Sequence, residues 1–152
     1  MAAEMNNQQL YDQDFYAWAN EQAGLLRAGR LSEADIEHIA EEIESMGKSE
    51  KRELVSRLTV VLLHLLKWQF QPGLRSASWE ASVQVQRLKL FDHLADNPSL
   101  KPQMPDAVTV AYRVGRIEAV AETGLGQATF PQTCPWTSDQ IMDQDFWPEA
   151  TN

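Results

Sequence analysis

The sequence predicts an all-α protein, a single-domain bundle of about five helices followed by an extended C-terminal segment that contains proline and tryptophan. Apolar residues recur at spacings of three and four along most of the chain, as they do on one face of a helix. No stretch alternates apolar and polar residues with the β-branched content of a strand. Clusters of proline and glycine separate the periodic stretches. At 152 residues, the chain suits one domain.

The first half of the chain predicts two helical stretches. The first runs from about Tyr11 to Ala28, with Asp12 or Asp14 as its cap and Gly29 at its end. The second begins after Ser32, where the letters SEAD resemble a capping box. It continues to about residue 68 either as two helices or as one helix bent at Gly47, because glycine weakens a helix without necessarily ending it.

The second half predicts two long helices and one short one. QPGLR at 71–75 is a stop, and helices follow over about 77–96 and 106–123 with a proline-containing loop between them. Pro131 and Pro135 disfavour helix around them, and a short helix begins near Thr137 or Ser138. We therefore expect a disordered segment over 1–10, one helical domain over 11–148 and a tail over 149–152.

The stretch DIEHIAEEIESMG at 35–47 combines five acidic residues with a histidine, which raises the question of a metal or acid–base site. At about 100° per residue, a single apolar stripe forms on this helix. It consists of Ile36, Ile39, Ile43 and Met46. His38 and Glu41 point away from it, so we expect the isoleucines to be buried and the acidic face to be solvated.

The remaining chemistry-bearing residues form no recognisable catalytic motif. Cys134 is the single cysteine and lies in a loop, and the three histidines fall on different predicted segments. His64 is the strongest ligand candidate because its helix is apolar nearly all round, yet one hydrogen bond would satisfy it in a core. His93 falls beside the apolar line of its helix. No cofactor or metal motif is present, so we predict no cofactor.

The charge of the chain is −9 and is unevenly distributed. Residues 1–50 carry a net −8, residues 51–121 a net +4 and residues 122–152 a net −5. The acidic total argues against nucleic-acid binding, and the segregation indicates complementarity between packed segments or towards a partner. No apolar run approaches the roughly 20 residues of a membrane span, and no signal peptide is visible, so we expect a cytoplasmic protein without a membrane association.

Five tryptophans are many for a chain of this length. Trp136 and Trp147 lie beside prolines in the acidic C-terminal segment. They predict either that this segment docks its aromatic side chains on the helices, which we favour, or that it exposes an aromatic groove for a partner.

The order of several phrases resembles a bacterial family called domain of unknown function 29. They include the opening YDQDF, EEIE, HLLKW, DNPSL and the closing FPQTCPW and DFWP, and the resemblance covers about residues 11–148. It implies an all-helical bacterial protein and carries no activity, cofactor or catalytic residue. Its phrases nominate positions to test: Glu41, Glu42, His64, Lys67 and Trp68.

Three functional hypotheses follow from these observations, of which the last is nucleic-acid binding through the basic residues of the middle of the chain. The first is a non-enzymatic protein that acts through protein–protein interaction or regulation, with a protein partner or a second copy of itself. The alternative is a metal-dependent or acid–base enzyme that uses His64 with helix carboxylates such as Glu41 and Glu42. That alternative requires the second helix to be rotated from the orientation that its isoleucines predict.

Overall fold

Six α-helices account for most of residues 5–151, the part of the chain that the computed structural model describes, and no strand occurs there. The all-α prediction is therefore confirmed. Four 3-10 helices of three to six residues lie between the α-helices, at Leu31–Glu33, Pro72–Leu74, Pro98–Gln103 and Gln127–Thr129. The α-helices are α1 (Asn7–Gln13), α2 (Phe15–Arg27), α3 (Ile36–Phe70), α4 (Ala77–Asp96), α5 (Met104–Thr123) and α6 (Ser138–Met142).

The chain separates into two compact units, where the sequence suggested one domain over 11–148. The first unit ends at Lys48 and the second begins at Ser49, so the boundary falls within α3 rather than in a linker. A search for Pro/Gly-rich linkers could not have found this boundary, because no such linker is present at it.

The predicted helix over 11–28 is two helices that meet at Asp14. Asp14 has a non-helical backbone (φ −145°) and caps α2 by accepting a hydrogen bond from the Ala17 amide at 3.2 Å. The segment 1–10 was expected to be disordered. Its residues 1–4 lie outside the described part, and α1 begins at Asn7 with a capping box between Asn6 and Gln9. The N-terminal helix therefore starts earlier than the sequence indicated.

α3 is a single 35-residue helix that continues through Gly47, which decides between the two alternatives left open by the sequence. A Cβ at Gly47 would meet no atom within 4 Å, so this glycine serves no close approach. All eight buried residues of α3 lie between Leu54 and Leu66. The C-terminal half of α3 is thus the part that packs in the core of the second unit.

The core of the second unit is formed by α3, α4, α5 and the C-terminal segment. α3 supplies a run of leucines from Leu54 to Leu66, and α4 supplies Val83, Leu90 and Leu94. α5 approaches α3 closely at Gly115, where an added Cβ would lie 3.4 Å from the Thr59 carbonyl oxygen. The core residues of α5 include Ala107, Ala111, Tyr112 and Ala119.

The C-terminal segment completes this core. Phe130, Trp136 and Ile141 are buried in it, and Trp147 is half-buried. The Tyr112 hydroxyl donates a hydrogen bond to the Pro131 carbonyl oxygen, which fixes the start of the extended stretch. The prediction that this segment docks its tryptophans on the helices is confirmed. No helix within residues 5–151 has both the length and the apolar composition needed to cross a membrane.

Candidate functional sites

A polar cluster holds the first unit together, with Asp35 at its centre. Asp35 precedes the first residue of α3, and its Oδ2 accepts hydrogen bonds from the Trp18 indole Nε1 at 3.0 Å and from the His38 ring Nδ1 at 2.7 Å. Its backbone amide donates to the Gln22 side-chain oxygen at 2.7 Å. Trp18 and Gln22 are both buried, so one carboxylate joins α2 to the start of α3.

Tyr11 joins α1 to the same face of α3. Its hydroxyl donates a hydrogen bond to Oε1 of Glu42, and its ring stacks on the His38 ring with centroids 4.1 Å apart. Tyr11 belongs to the YDQDF phrase and Glu42 to the EEIE phrase, so this bond links two of the phrases on which the family resemblance rests. Glu41, the neighbouring candidate, is exposed.

The orientation predicted for this part of α3 is wrong. Ile36, Ile43 and Met46 are 54%, 59% and 62% exposed, and Ile39 is half-buried. The face that meets α1 and α2 instead carries Asp35, His38 and Glu42. The reason is that α1 and α2 present the Tyr11 hydroxyl, the Trp18 indole and the Gln22 amide. These donors and acceptors require polar partners when they leave water.

The electrostatics of this cluster follow from its hydrogen bonds. Burial tends to raise the pKa of Asp35, but the bonds from Trp18 and His38 outweigh it and hold the pKa below its usual value. Asp35 in turn raises the pKa of His38. The hydrogen bond to Glu42 raises the pKa of Tyr11 to about 12. Asp35 thus orients the His38 ring, which is an arrangement that general acid–base chemistry uses. The same hydrogen bonds also hold the helices of this unit together.

His64 does not contact a carboxylate among the described residues. Its Nδ1 lies 2.8 Å from the Val60 carbonyl oxygen of its own helix, so that nitrogen is satisfied by one hydrogen bond within α3. The ring is half-buried between leucines on both sides in sequence. His64 belongs to the second unit, whereas Glu41 and Glu42 belong to the first.

Lys67 and Trp68 lie in an aromatic and cationic assembly near the C-terminus of α3. The Lys67 ammonium pairs with Glu122 at 3.0 Å and stands 4.5 Å from the centre of the Trp79 ring. The Trp68 ring packs on Trp147 with centroids 4.4 Å apart. Cation–π contacts of this kind stabilise a buried surface by about 0.5–2 kcal/mol each. Through the Trp68–Trp147 contact, this assembly packs the C-terminal segment against α3.

Arg87 is a buried cation of the second unit, a placement that its position in the sequence does not show. It is 1% exposed, and its Nε and Nη2 donate to the carbonyl oxygens of Ile141 and Gln140 at 2.7 and 3.3 Å, near the end of α6. Burial lowers its pKa to about 10, with Asp143 acting in the opposite direction. It also lies 5.4 Å from the Trp147 ring centre. A cation suits this position because carbonyl oxygens at a helix C-terminus carry partial negative charge.

Arg116 repeats this pattern, donating to the carbonyl oxygens of Gln127 and Phe130 at 2.8 and 3.3 Å. Arg87 and Arg116 thus bind the C-terminal segment through its backbone carbonyl oxygens, while the Lys67–Glu122 pair joins α3 to α5. Because these acceptors are neutral, the net charges of the segments could not locate the contacts.

A groove of about 600 Å³ runs between α5 and residues 127–138. Its wall includes Val108, Tyr112, Arg113, Cys134 and Trp136. Burial raises the pKa of the Cys134 thiol, whose Sγ lies 3.5 Å from the Trp136 carbonyl oxygen. A thiol held neutral is a poor nucleophile, so this cysteine is not arranged for covalent catalysis.

A second, polar cavity of about 460 Å³ lies between α3 and α4. Glu50 and Glu53 lie one turn apart on α3, and both carboxylates approach the ring of His93 on α4, at 3.6 and 3.1 Å. Arg57 binds the other oxygen of Glu53 at 2.7 Å. The sequence placed His93 at the edge of a stripe and gave it no role, because contacts across two helices leave no local pattern.

The outer face of α4 exposes an apolar stripe, which we call the α4 stripe. Leu88 and Phe91 are 60% and 68% exposed, and Val85 is also exposed. The members lie at spacings of four, three, three and four, opposite the buried Val83, Leu90 and Leu94. They are Ala81, Val85, Leu88, Phe91 and Ala95. α4 is therefore apolar on two opposite faces, of which residues 5–151 cover only one.

Comparison with known proteins identifies one family. The family model described as "Domain of unknown function DUF29" matches residues 10–147, which is nearly the whole chain and close to the range over which the sequence phrases suggested it. Neither a curated protein nor a solved structure matches the chain.

Proposed function

We propose that this chain, which belongs to the DUF29 family, is a non-enzymatic helical protein that acts by binding another protein helix through its α4 stripe. The observation that carries the proposal is the exposure of Leu88 and Phe91 at the centre of a continuous apolar line. The proposed setting is the bacterial cytoplasm, which is supported by the single cysteine. The net charge of −9 supports a protein partner over a nucleic acid.

The geometry of the α4 stripe supports a helical partner. Residues at spacings of three and four form one straight face about 20 Å long, which is the surface that an amphipathic helix lies against. Full burial of a leucine or phenylalanine side chain stabilises a complex by about 1.5–3 kcal/mol relative to exposure. Leu88 and Phe91 together could therefore anchor a helix whose apolar residues face them.

Charged residues along the edge of the α4 stripe would set the orientation of the partner helix. At 100° per residue, Lys89, Asp92 and Asp96 follow one side of it, and all three are exposed. Charges at the rim of an apolar contact contribute more to specificity and to the rate of association than to affinity. The partner helix should therefore carry an apolar face with a basic residue opposite Asp92 and Asp96.

Site-specific photo-crosslinking in the source cell tests this proposal. A photoreactive amino acid at Leu88 should yield a covalent adduct of one defined mass, and Phe91→Glu in the same chain should abolish it. An adduct of two copies of this chain would identify the partner as the chain itself. The same photoreactive residue at the exposed Lys101, outside the stripe, is the positional control. Equal adducts at both positions, or none at Leu88, would refute the proposal.

A further inference from the structure

We propose that Glu50, Glu53 and His93 form a binding site for a divalent transition-metal ion such as Zn²⁺. The site lies in the polar cavity between α3 and α4, uses none of the apolar residues of the α4 stripe, and is carried by residues of the second unit alone. Three features support the site: the distances between the donor atoms, the environment of the His93 ring and the charge of the cavity.

The donor atoms are close enough to share one ion. One ligand atom from each of the three residues lies within 4.8 Å of the others. Around a tetrahedral ion with bonds of about 2.1 Å, neighbouring ligand atoms are roughly 3.4 Å apart. Glu50 and Glu53 have side chains that are 48% and 41% exposed. Glu53 already lies against Nδ1, whereas Glu50 lies nearest to Nε2 at 3.6 Å and would have to turn towards Nδ1, for which its partly exposed side chain leaves room.

The His93 ring is the second and independent indication. The side chain is 8% exposed, and its Nε2 lies 2.8 Å from the Glu50 backbone carbonyl oxygen, which can only accept a hydrogen bond. Nε2 must therefore carry the proton. In a neutral ring, Nδ1 then bears a lone pair, yet it lies 3.1 Å from Oε2 of Glu53. Unless the ring carries a second proton on Nδ1, two acceptors face each other there, and a metal ion between them would satisfy both.

This environment is the one that metal-binding histidines require. A ligating histidine usually donates its other ring N–H to a carbonyl or carboxylate oxygen, which fixes the ring and makes the free nitrogen a better ligand. Nε2 of His93 makes this bond to the Glu50 carbonyl oxygen, which leaves Nδ1 directed towards the carboxylate of Glu53. The competing arrangement is a protonated ring paired with Glu53, with no metal.

The charge of the cavity also favours a cation. Its wall holds four carboxylates against the cationic side chains of Arg57 and Lys89. Arg57 occupies Oε1 of Glu53 at 2.7 Å and leaves Oε2 free for an ion. One nitrogen and two carboxylate ligands suit Zn²⁺ and its neighbours, whereas Mg²⁺ and Ca²⁺ take oxygen ligands. Three protein ligands would leave a fourth position open to the cavity.

Calorimetric titration of the full chain with Zn²⁺, after treatment with a chelator, tests the site. We expect saturable binding of one ion per chain that excess Mg²⁺ does not displace. Glu50→Gln, Glu53→Gln and His93→Gln should each weaken binding by about tenfold or more. Each keeps a side chain of similar volume, and circular dichroism checks the fold. With Co²⁺ in place of Zn²⁺, visible absorption should report nitrogen and oxygen ligation.

Glu80→Gln, which removes an exposed carboxylate of α4 outside the cavity, is the matched control and should leave the affinity unchanged. His38→Gln tests the other histidine that contacts a carboxylate, and it should also leave the affinity unchanged. Absence of saturable Zn²⁺ binding would overturn the proposal in favour of a protonated His93 paired with Glu53. Binding that the three cavity variants leave intact would overturn it equally.

Discussion

At the scale of single residues, Asp35 carries the largest share of the first unit's polar contacts. It receives bonds from the Trp18 indole and the His38 ring, and its backbone binds Gln22. Removal of the Asp35 carboxylate would leave buried donors without acceptors, which lowers the free energy of unfolding by about 1–3 kcal/mol for each group. Polar side chains therefore stabilise the packing of the first unit, as apolar side chains stabilise that of the second.

The Asp35–His38 pair predicts a pH-dependent stability of the first unit. Because the folded pKa of His38 is raised, its contribution is complete below the ordinary histidine value of about 6.5 and is lost as the pH rises through the folded value. Because the folded pKa of Asp35 is lowered, the contribution of Asp35 to stability is present above about pH 3.9. It is lost as the pH falls through the folded pKa of Asp35. The pair should stabilise most at mildly acidic pH.

Urea unfolding of the wild type and of His38→Gln, followed between about pH 5 and pH 9, measures this contribution. The difference between the two proteins in the free energy of unfolding should shrink as the pH rises, and an NMR titration of the His38 ring should show its raised pKa directly. A difference that stays constant with pH, together with an ordinary histidine titration, would contradict the assignment.

At the scale of elements, α3 shows that a glycine need not interrupt a helix. Gly47 lies inside it, exposed, with nothing near its missing Cβ. Gly47→Ala should therefore raise the free energy of unfolding by about 0.5–1 kcal/mol, because alanine loses less backbone entropy on folding. Chemical denaturation followed by circular dichroism measures the change.

Gly29→Ala is the matched control for that variant. Its Cβ would also meet no atom, but the backbone at Gly29 is left-handed with φ +73°. Alanine should therefore cost about 1–2 kcal/mol there. Equal effects of the two substitutions would show that α3 does not continue through Gly47 as a regular helix.

The close approach of α5 to α3 depends on Gly115. A Cβ there would lie 3.4 Å from the Thr59 carbonyl oxygen and 3.5 Å from the Leu63 amide nitrogen. Gly115→Ala should be nearly neutral, since these are ordinary contacts. Gly115→Leu should cost about 1–3 kcal/mol through overpacking. Thermal unfolding of both variants would test this, and equal melting temperatures would show that the two helices are not in close contact there.

At the scale of the whole molecule, the C-terminal segment is part of the second unit's core rather than an appendage. Phe130, Trp136 and Ile141 are buried in it, and Arg87 and Arg116 bind its backbone carbonyl oxygens. The acidic C-terminal segment is thus held through neutral groups of its backbone and through its buried apolar side chains. Its removal should expose the leucines of α3.

Phe130→Ala tests this role against a matched phenylalanine. Phe130 is 2% exposed and Phe91 is 68% exposed. The first substitution should lower the free energy of unfolding by about 3–5 kcal/mol, and Phe91→Ala should change it by no more than about 0.5 kcal/mol. Limited proteolysis should then cleave the Phe130 variant within residues 127–151. Equal effects on stability would mean that the segment is not packed as described.

The sequence by itself determined the secondary structure of most of this protein. The bounds expected for α4 and α5 agree with those observed to within two residues, because capping residues, prolines and apolar spacing are local signals. The docking of Trp136 and Trp147 was also foreseeable, since a chain of this size must cover large apolar side chains. The family assignment rests on the same kind of local information, the order of short phrases.

Only the tertiary structure decided which face of the N-terminal part of α3 is covered. The isoleucines of α3 predicted one orientation, and the hydrogen-bonding groups of α1 and α2 imposed another. Arg87 and His93 gained their partners from α6 and from α3, at sequence separations of 54 and 43 residues. An amphipathic pattern states that a face can be buried, but the choice belongs to the neighbour that satisfies both the apolar surface and the polar groups beside it.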